Sequence, residues 1–290
     1  MPPGVPPPKF NLKLRKFDLS RIKHTNVVIL IGRRESGKSI CIRDLMSYQQ
    51  ALPCGTVISG TEGSNAFFSK IVPQMFIHDE YTPMILSNLV KRQKNLGVRI
   101  TKDIAETGRT NIDPRTFLIM DDCMYDNTWT RDKNMRYLFM NGRHIQTMLV
   151  ISMQEPMGIP PSLRTNTDFV FIFRNNFLNM REKLYKQWAG MFPDFDTFCQ
   201  VMNQCTENFE CLVIDNNAKS NKIEDQVFWY KARYELPEYK LCSPIFWQKQ
   251  NQSQNQGHGH GHGQGEDDQM DFDGNMGGVR RRVILNVDKK

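Results

Sequence analysis

With 290 residues, 39% of them hydrophobic, and a net charge of +7, the chain has the apolar content of one or two packed domains and fits no fibrous class. Its longest apolar runs, Val27 to Ile31 and Thr147 to Met153, are far shorter than the roughly 18–20 residues that span a bilayer, so no transmembrane segment is expected. Seven cysteines without a C-x-x-C pair, and an N-terminus that begins Met1-Pro2-Pro3-Gly4, argue for free thiols inside a cell and against structural zinc or a secretory leader.

The first 25 residues read as an extended arm, rich in proline and then basic, with Lys9, Lys13, Arg15 and Lys16 around Phe10, Leu12 and Leu14. The apolar run Val27 to Ile31 is expected to be a buried strand. It leads into Gly32-Arg33-Arg34-Glu35-Ser36-Gly37-Lys38-Ser39, a complete G-x-x-x-x-G-K-S phosphate loop, and then into a helical stretch from Ile40 to Tyr48. Two glycines let the backbone curl so that successive N–H groups face one anion, and the following helix adds its positive end. Lys38 is the compact cation for the β- and γ-phosphates, and the Ser39 hydroxyl is placed to complete a Mg²⁺ shell. A glycine turn that merely capped a helix would not require Lys followed by Ser.

Further strands are expected at Gly55 to Ser59, Thr116 to Met120, Thr147 to Met153 and Phe169 to Phe173, with helices near Pro83 to Asn95 and Asp132 to Met140. Strands alternating with helices are the mark of an α/β fold with a mainly parallel central sheet flanked by helices. The strand over Phe117 to Met120 ends in Asp121-Asp122. In a phosphate-loop hydrolase, the first acid binds the metal through its water shell and the second orients or deprotonates the attacking water. A water-activating acid favours hydrolysis over small-molecule phosphoryl transfer, which excludes water. The text closest to a guanine-reading N-K-x-D element, Asn221-Lys222-Ile223-Glu224, ends in the wrong residue. The guanine-reading class is therefore set aside, and a nucleoside triphosphate with Mg²⁺ is the expected ligand.

Gln154 follows the strand Thr147 to Met153. Because strand ends of a parallel sheet face one crevice, it is expected beside Asp121 and the γ-phosphate, as a sensing amide or simply as an exposed strand-end side chain. Arg143 and Arg164 flank that strand. Each is a candidate for the arginine that stabilises transition-state charge from a neighbouring subunit, or for an ordinary surface cation.

After Arg174, Asn179 to Ala189 and Phe195 to Cys205 read as helices, while Glu210 to Ile214 and Val227 to Lys231 alternate as strands that extend the sheet or form an appended lobe. The domain reading is thus an arm over 1–25, a nucleotide-binding domain over 26–247 with its core in 26–174, and a low-complexity tail over 248–290 expected to be disordered. Within that tail, His258, His260 and His262 suit either a divalent cation or a soluble spacer, and Arg280-Arg281-Arg282 a docking peptide or a DNA contact. The tail carries as many Lys and Arg as Asp and Glu, so the positive excess lies in the body. That excess suits an anionic partner, nucleic acid first, and equally suits plain solubility.

Taken together, the loop at Gly32 to Ser39, Leu118 to Asp122, Asn141-Gly142-Arg143-His144, Gln154 and the stretch Pro161 to Asp168 resemble the genome-packaging ATPases of nucleocytoplasmic large DNA viruses, the poxvirus-type branch of the FtsK/HerA superfamily. The resemblance covers Asn26 to Phe173. It implies a RecA-like core, a homo-oligomeric ring and ATP-driven movement of double-stranded DNA into a preformed capsid. It also implies work in the host cytoplasm at the site of virion assembly, or in the virion, with a capsid or inner-membrane virion protein as a further partner. Many members of the superfamily carry Asp-Glu where this chain has Asp121-Asp122, so the second acid is shorter here. The competing expectations are a nucleotide-gated assembly factor that ignores DNA, and a helicase.

Overall fold

Five runs in which every residue is buried, Val27–Ile31, Gly55–Ser59, Thr116–Asp121, Thr147–Met153 and Phe169–Phe173, set the architecture, apart from a half-buried Thr56. Strands that are apolar on both faces need a layer of structure on each side, the condition met by parallel sheets with crossover helices. The computed structural model describes residues 12–123 and 127–257. Its elements in chain order are β1 (Arg15–Lys16), β2 (Val27–Ile31), α1 (Lys38–Ser47), β3 (Gly55–Ser59), α2 (Glu62–Asn65), β4 (Ile77–His78), α3 (Pro83–Thr107), β5 (Thr116–Asp121) and α4 (Lys133–Asn141). They continue with β6 (Thr147–Met153), α5 (Pro161–Arg164), β7 (Phe169–Phe173), α6 (Leu178–Trp188), α7 (Phe195–Cys205), β8 (Glu210–Asp215), α8 (Ile223–Gln226), β9 (Val227–Lys231) and α9 (Pro244–Gly257).

These strands form one sheet in the order β1-β9-β8-β7-β2-β6-β5-β3-β4. From β7 to β4 all neighbours are parallel, whereas β8 runs antiparallel to both β7 and β9. The two strands after the core therefore widen the main sheet instead of building a separate lobe. Alternation along each strand divides the core in two. Val27, Ile29 and Ile31 face a layer with α3, α4, α5, α6 and α7, while Val28 and Leu30 face α1 and the segments around Phe17, Phe68 and Leu241. The carboxyl ends of β2, β6 and β5 lie side by side, with Ile31 opposite Met153 and Asp121 opposite Ser152.

Three sequence expectations change. The arm becomes part of the sheet in its second half: Arg15 and Lys16 pair in parallel with Phe228 and Trp229, and Phe17, Leu19 and Ile22 are buried. Prolines and charges suggested exposure, but the apolar residues between them find the far edge of the sheet. Helix α3 does not stop near Asn95. It runs on to Gly108, whose φ of 73° closes it. Its buried stripe ends at Gln93, so the helix beyond projects, with a Lys102–Glu106 pair at 3.7 Å on its exposed surface. Finally, the tail begins with a helix, since α9 extends from Pro244 to Gly257. The histidine tract from His258 and Arg280 to Arg282 lie outside the described residues.

Phe17 packs edge-on against Phe169, Phe171 and Phe228 with ring centroids 5.5–5.8 Å apart. Phe17→Ala is expected to lower stability by about 3 kcal/mol, as for other buried aromatics cut to alanine, read from the midpoint of urea unfolding. A free arm would leave that midpoint unmoved.

Candidate nucleotide site

The phosphate loop springs from the end of β2. Gly32 donates to the Met153 carbonyl at 3.0 Å, and a Cβ on it would stand 2.6 Å from both Phe173 Cβ and Ser36 Oγ. Only glycine fits this turn. Glu35 and Gly37 take positive φ of 62° and 95°, which swings the loop back so that α1 starts at Lys38 with no side chain capping its first turn. The amides of that turn face outward, ready for an anion. Ser36 Oγ is buried beside them without a hydrogen-bond partner.

Lys38 lies across the loop, with its Nζ donating to the carbonyls of Gly32 at 2.9 Å and Arg33 at 2.8 Å. Burial pushes its pKa down, and the carboxylates of Asp122 and Asp121 oppose that shift. An ammonium held by two carbonyls and two acids is already poised over the loop. Its donors have only to turn from carbonyl to phosphate oxygen.

Asp121 ends β5 as a buried carboxylate, only 3% exposed. Ser39 Oγ from α1 donates to its Oδ2 at 2.9 Å, and Ser152 Oγ from β6 donates to its Oδ1. Burial raises the Asp121 pKa, against the pull of those two hydroxyls and Lys38. One hydroxyl and one carboxylate in contact are a small, hard oxygen set. That set fits Mg²⁺, which keeps most of its waters and shares substrate phosphates. Among the described residues no group of three or more His, Cys, Asp or Glu could hold a metal, and the seven cysteines are free thiols.

Asp122 follows in the left-handed region, with a φ of 53°. Its amide donates to Ser152 Oγ at 3.1 Å. The turn takes its carboxylate off the strand, where Gln154 Nε2 donates to Oδ1 at 2.7 Å and Oδ2 at 2.9 Å. Gln154 thus stands in the expected crevice, yet it is bonded to Asp122 instead of lying at Asp121. Lys38, Ser39, Asp121, Asp122 and Gln154 converge as the sequence suggested. Ser152 joins them unforeseen, although a lone hydroxyl in the apolar run Met148 to Met153 was a visible signal.

The two arginines do not join them. Arg143 forms an ion pair with Asp168, a buried carboxylate that also receives the Val27 amide at 2.7 Å. Val27 begins β2 and the phosphate loop follows its end, so Arg143 sits at the opposite end of the sheet. Arg164 lies over the Trp188 ring, its Cζ 5.7 Å from the centroid, on the layer facing away from α1. Burial lowers its pKa, and its Nη1 has no hydrogen-bond partner. Neither arginine belongs to its own chain's phosphate site. Arg33, within the loop, packs over Phe177 at 5.1 Å.

A second buried acid on α1, Asp44, accepts from Tyr230 Oη at 2.6 Å, from the Arg233 amide at 2.7 Å, and from the Arg233 guanidinium at 2.8 and 3.0 Å. It fastens the phosphate-loop helix to the chain leaving β9. A charged residue on a helix face otherwise formed by Cys41, Ile42, Leu45 and Met46 marked it in the sequence.

No protein-family model matches the chain. Several viral proteins are similar to it over most of their length. The uncharacterized protein L437 of Acanthamoeba polyphaga mimivirus is 40% identical over 222 residues, 76% of this chain and 78% of that protein. The uncharacterized protein 075L of Invertebrate iridescent virus 6 is 38% identical over 207 residues, 71% of this chain and 76% of that protein. The uncharacterized protein 015R of Frog virus 3 is 36% identical over 208 residues, 71% of this chain and 62% of that protein. Among solved structures, the genome packaging NTPase B204 of Sulfolobus turreted icosahedral virus 2 with AMP is 16% identical, with a TM-score of 0.48 over 73% of this chain and 100% of that one.

Two outcomes follow from this geometry. Asp121→Asn keeps an oxygen for the serines without a buried charge, so the metal-free variant is expected to melt about 2–4 °C higher, the shift that about 1 kcal/mol gives a domain of this size. Addition of Mg²⁺ and nucleotide should then stabilise it far less than wild type in the same thermal scan. Arg143→Ala strips the partner from Asp168. It should cost about 1–2 kcal/mol, less than a fully buried pair because Arg143 is largely exposed, and should leave the affinity for a fluorescent ATP analogue unchanged.

Proposed function

We propose that this chain, which belongs to the family of large DNA virus proteins represented by L437, 075L and 015R, is an ATP-hydrolysing motor that moves double-stranded DNA. The observation that carries the reading is the meeting of the phosphate loop with the acids of β5, through Ser39 and Asp121 on one side and Gln154 and Asp122 on the other.

The loop amides and Lys38 hold the triphosphate. Ser39 and Asp121 would hold Mg²⁺, which when bound would supply neutralisation of the triphosphate's charge. Asp122 accepts the proton of the attacking water as the bond from the γ-phosphorus to the bridging oxygen breaks, leaving ADP and phosphate. Gln154 donates to both oxygens of Asp122 in the absence of nucleotide. When a γ-phosphate enters, the amide has a competing acceptor, so releasing Asp122 and sensing the phosphate become one event. A nucleotide-dependent move at the end of β6 is then available to the segments that follow it.

DNA as the load is supported by the motif resemblance, by the basic body, and by the projecting half of α3. Lys94, Arg99 and Lys102 are exposed beyond the part of the helix that the core holds, and Lys91 and Arg92 are exposed on the turn before it. Flexible cations of this kind suit phosphate contacts without base readout. In this reading the chain works as a homo-oligomeric ring at the site of virion assembly, and a neighbour supplies the arginine that completes each site. A capsid or inner-membrane virion protein is the docking partner.

Steady-state ATP hydrolysis, measured with and without long double-stranded DNA at two salt concentrations, tests this. Stimulation by DNA that fades with salt is expected. Lys38→Ala should lose nucleotide binding. Asp122→Asn should bind ATP yet turn over about 10² to 10⁴-fold more slowly, the usual range for loss of a general base. Arg99→Glu with Lys102→Glu should keep basal turnover and lose the DNA response. Robust turnover indifferent to DNA and responsive to a virion protein would favour the nucleotide-gated assembly factor instead.

A further inference from the structure

Beside the phosphate loop lies a cleft of about 380 Å³ that the five polar residues above do not account for. It is lined by the loop and the first turn of α1, from Glu35 to Ile40, and by Phe209, Lys231, Ala232 and Tyr234. The two aromatic side chains of this lining stand open to solvent, Phe209 at 68% and Tyr234 at 76% exposure. Exposed aromatics beside a phosphate site offer flat apolar faces where a nucleoside would lie once its phosphates occupy the loop.

The way the chain holds them is unusual. Phe209 takes a φ of 64° directly after Asn208 at 49°, a conformation that bulky side chains avoid and that accumulates at ligand-holding positions. This turn puts Phe209 Cδ1 only 3.6 Å from where a Cβ on Gly37 would stand, so the ring lies against the start of the helix that the phosphates would cap. Tyr234 is fixed from the other side. Arg233 is bonded to the buried Asp44, and Arg43 donates to the Tyr234 carbonyl at 2.5 Å. The Phe209 ring and the Tyr234 backbone are thus both set against α1, the element that carries Lys38 and Ser39.

We infer that Phe209 and Tyr234 form a stacking clamp for the purine base of a nucleoside triphosphate whose phosphates sit in the Gly32–Ser39 loop. The inference rests on the phosphate-loop reading and adds to it the part of the ligand that the loop does not touch. Aromatic stacking on a base is worth about 1–3 kcal/mol per contact, or roughly 5- to 150-fold in affinity. Because it engages the π-face, it needs no group aimed at the base edge.

Calorimetric binding of ATP and of inorganic tripolyphosphate to the full chain, with Mg²⁺ present, tests the clamp apart from the loop. Wild type should bind ATP at least about 10-fold more tightly than tripolyphosphate. Phe209→Leu and Tyr234→Leu, which keep apolar bulk, should each lose about 10-fold for ATP while holding tripolyphosphate as before. Phe209→Trp and Tyr234→Phe should retain ATP affinity. ATP affinity unchanged in the leucine variants would overturn the clamp, and so would a parallel loss of ATP and tripolyphosphate, which would mean that the rings shape the loop. Wild type that binds neither ligand would overturn the phosphate-loop reading itself, and the clamp with it.

Discussion

A carboxylate taken out of water must be met by donors, and the demand of Asp121 organises the site. Its two oxygens are satisfied from two different elements, Ser39 on α1 and Ser152 on β6. That requirement fixes the phosphate loop, the middle strand and the acidic strand at one distance from each other. The register does the rest, since Asp121 lies opposite Ser152 in the ladder and Gly32 hydrogen-bonds the last residue of β6. The cost of burying such a charge is tolerated because the same atoms suit a cation and a phosphate ester.

Two more buried acids repeat the device elsewhere. Asp168 holds the first residues of β2 and β7 together through the Val27 amide and draws Arg143 onto the sheet edge. Asp44 holds α1 to the end of β9 through Tyr230 and Arg233. Neither hydrogen-bonds the side chains gathered around Asp121. Each helps to seat a helix or strand that carries them, and Asp44 in addition holds Arg233, the neighbour of Tyr234. The added strands β8 and β9 are therefore part of the nucleotide site through their connections, although the sheet would be an ordinary parallel one without them.

Gln154 ties two elements of the site together. It donates to Asp122 and stands at the end of β6, next to the strand that feeds the loop. The segment that follows β6 reaches α5 and the Trp188 layer, where Trp188 donates to the Pro156 carbonyl.

Much of this was legible along the chain. The β-rich runs announced β2, β3, β6 and β7 at their observed bounds, because short runs this rich in β-branched and aromatic residues are most readily buried as strands. The phosphate loop and Asp121-Asp122 were legible for a related reason: their chemistry depends on residue types at fixed short spacing, and short spacing survives without knowledge of the fold. What tertiary structure alone decided is everything that depends on residues distant in sequence. Arg143 and Arg164 looked alike as cations beside a strand, and only the far end of the sheet for Arg143 and the Trp188 layer for Arg164 removed them from the site. Phe209 and Tyr234 are separated from the loop by most of the domain, and no local pattern ties an exposed ring to a glycine turn. Arg15 to Ile22 looked like a free arm because its apolar residues are few, and only the presence of an unpaired edge at β9 gave them a place to bury. The sequence by itself therefore determined the kind of chemistry and the strands that carry it. The long-range pairing of strands and buried charges decided which side chains stand around it.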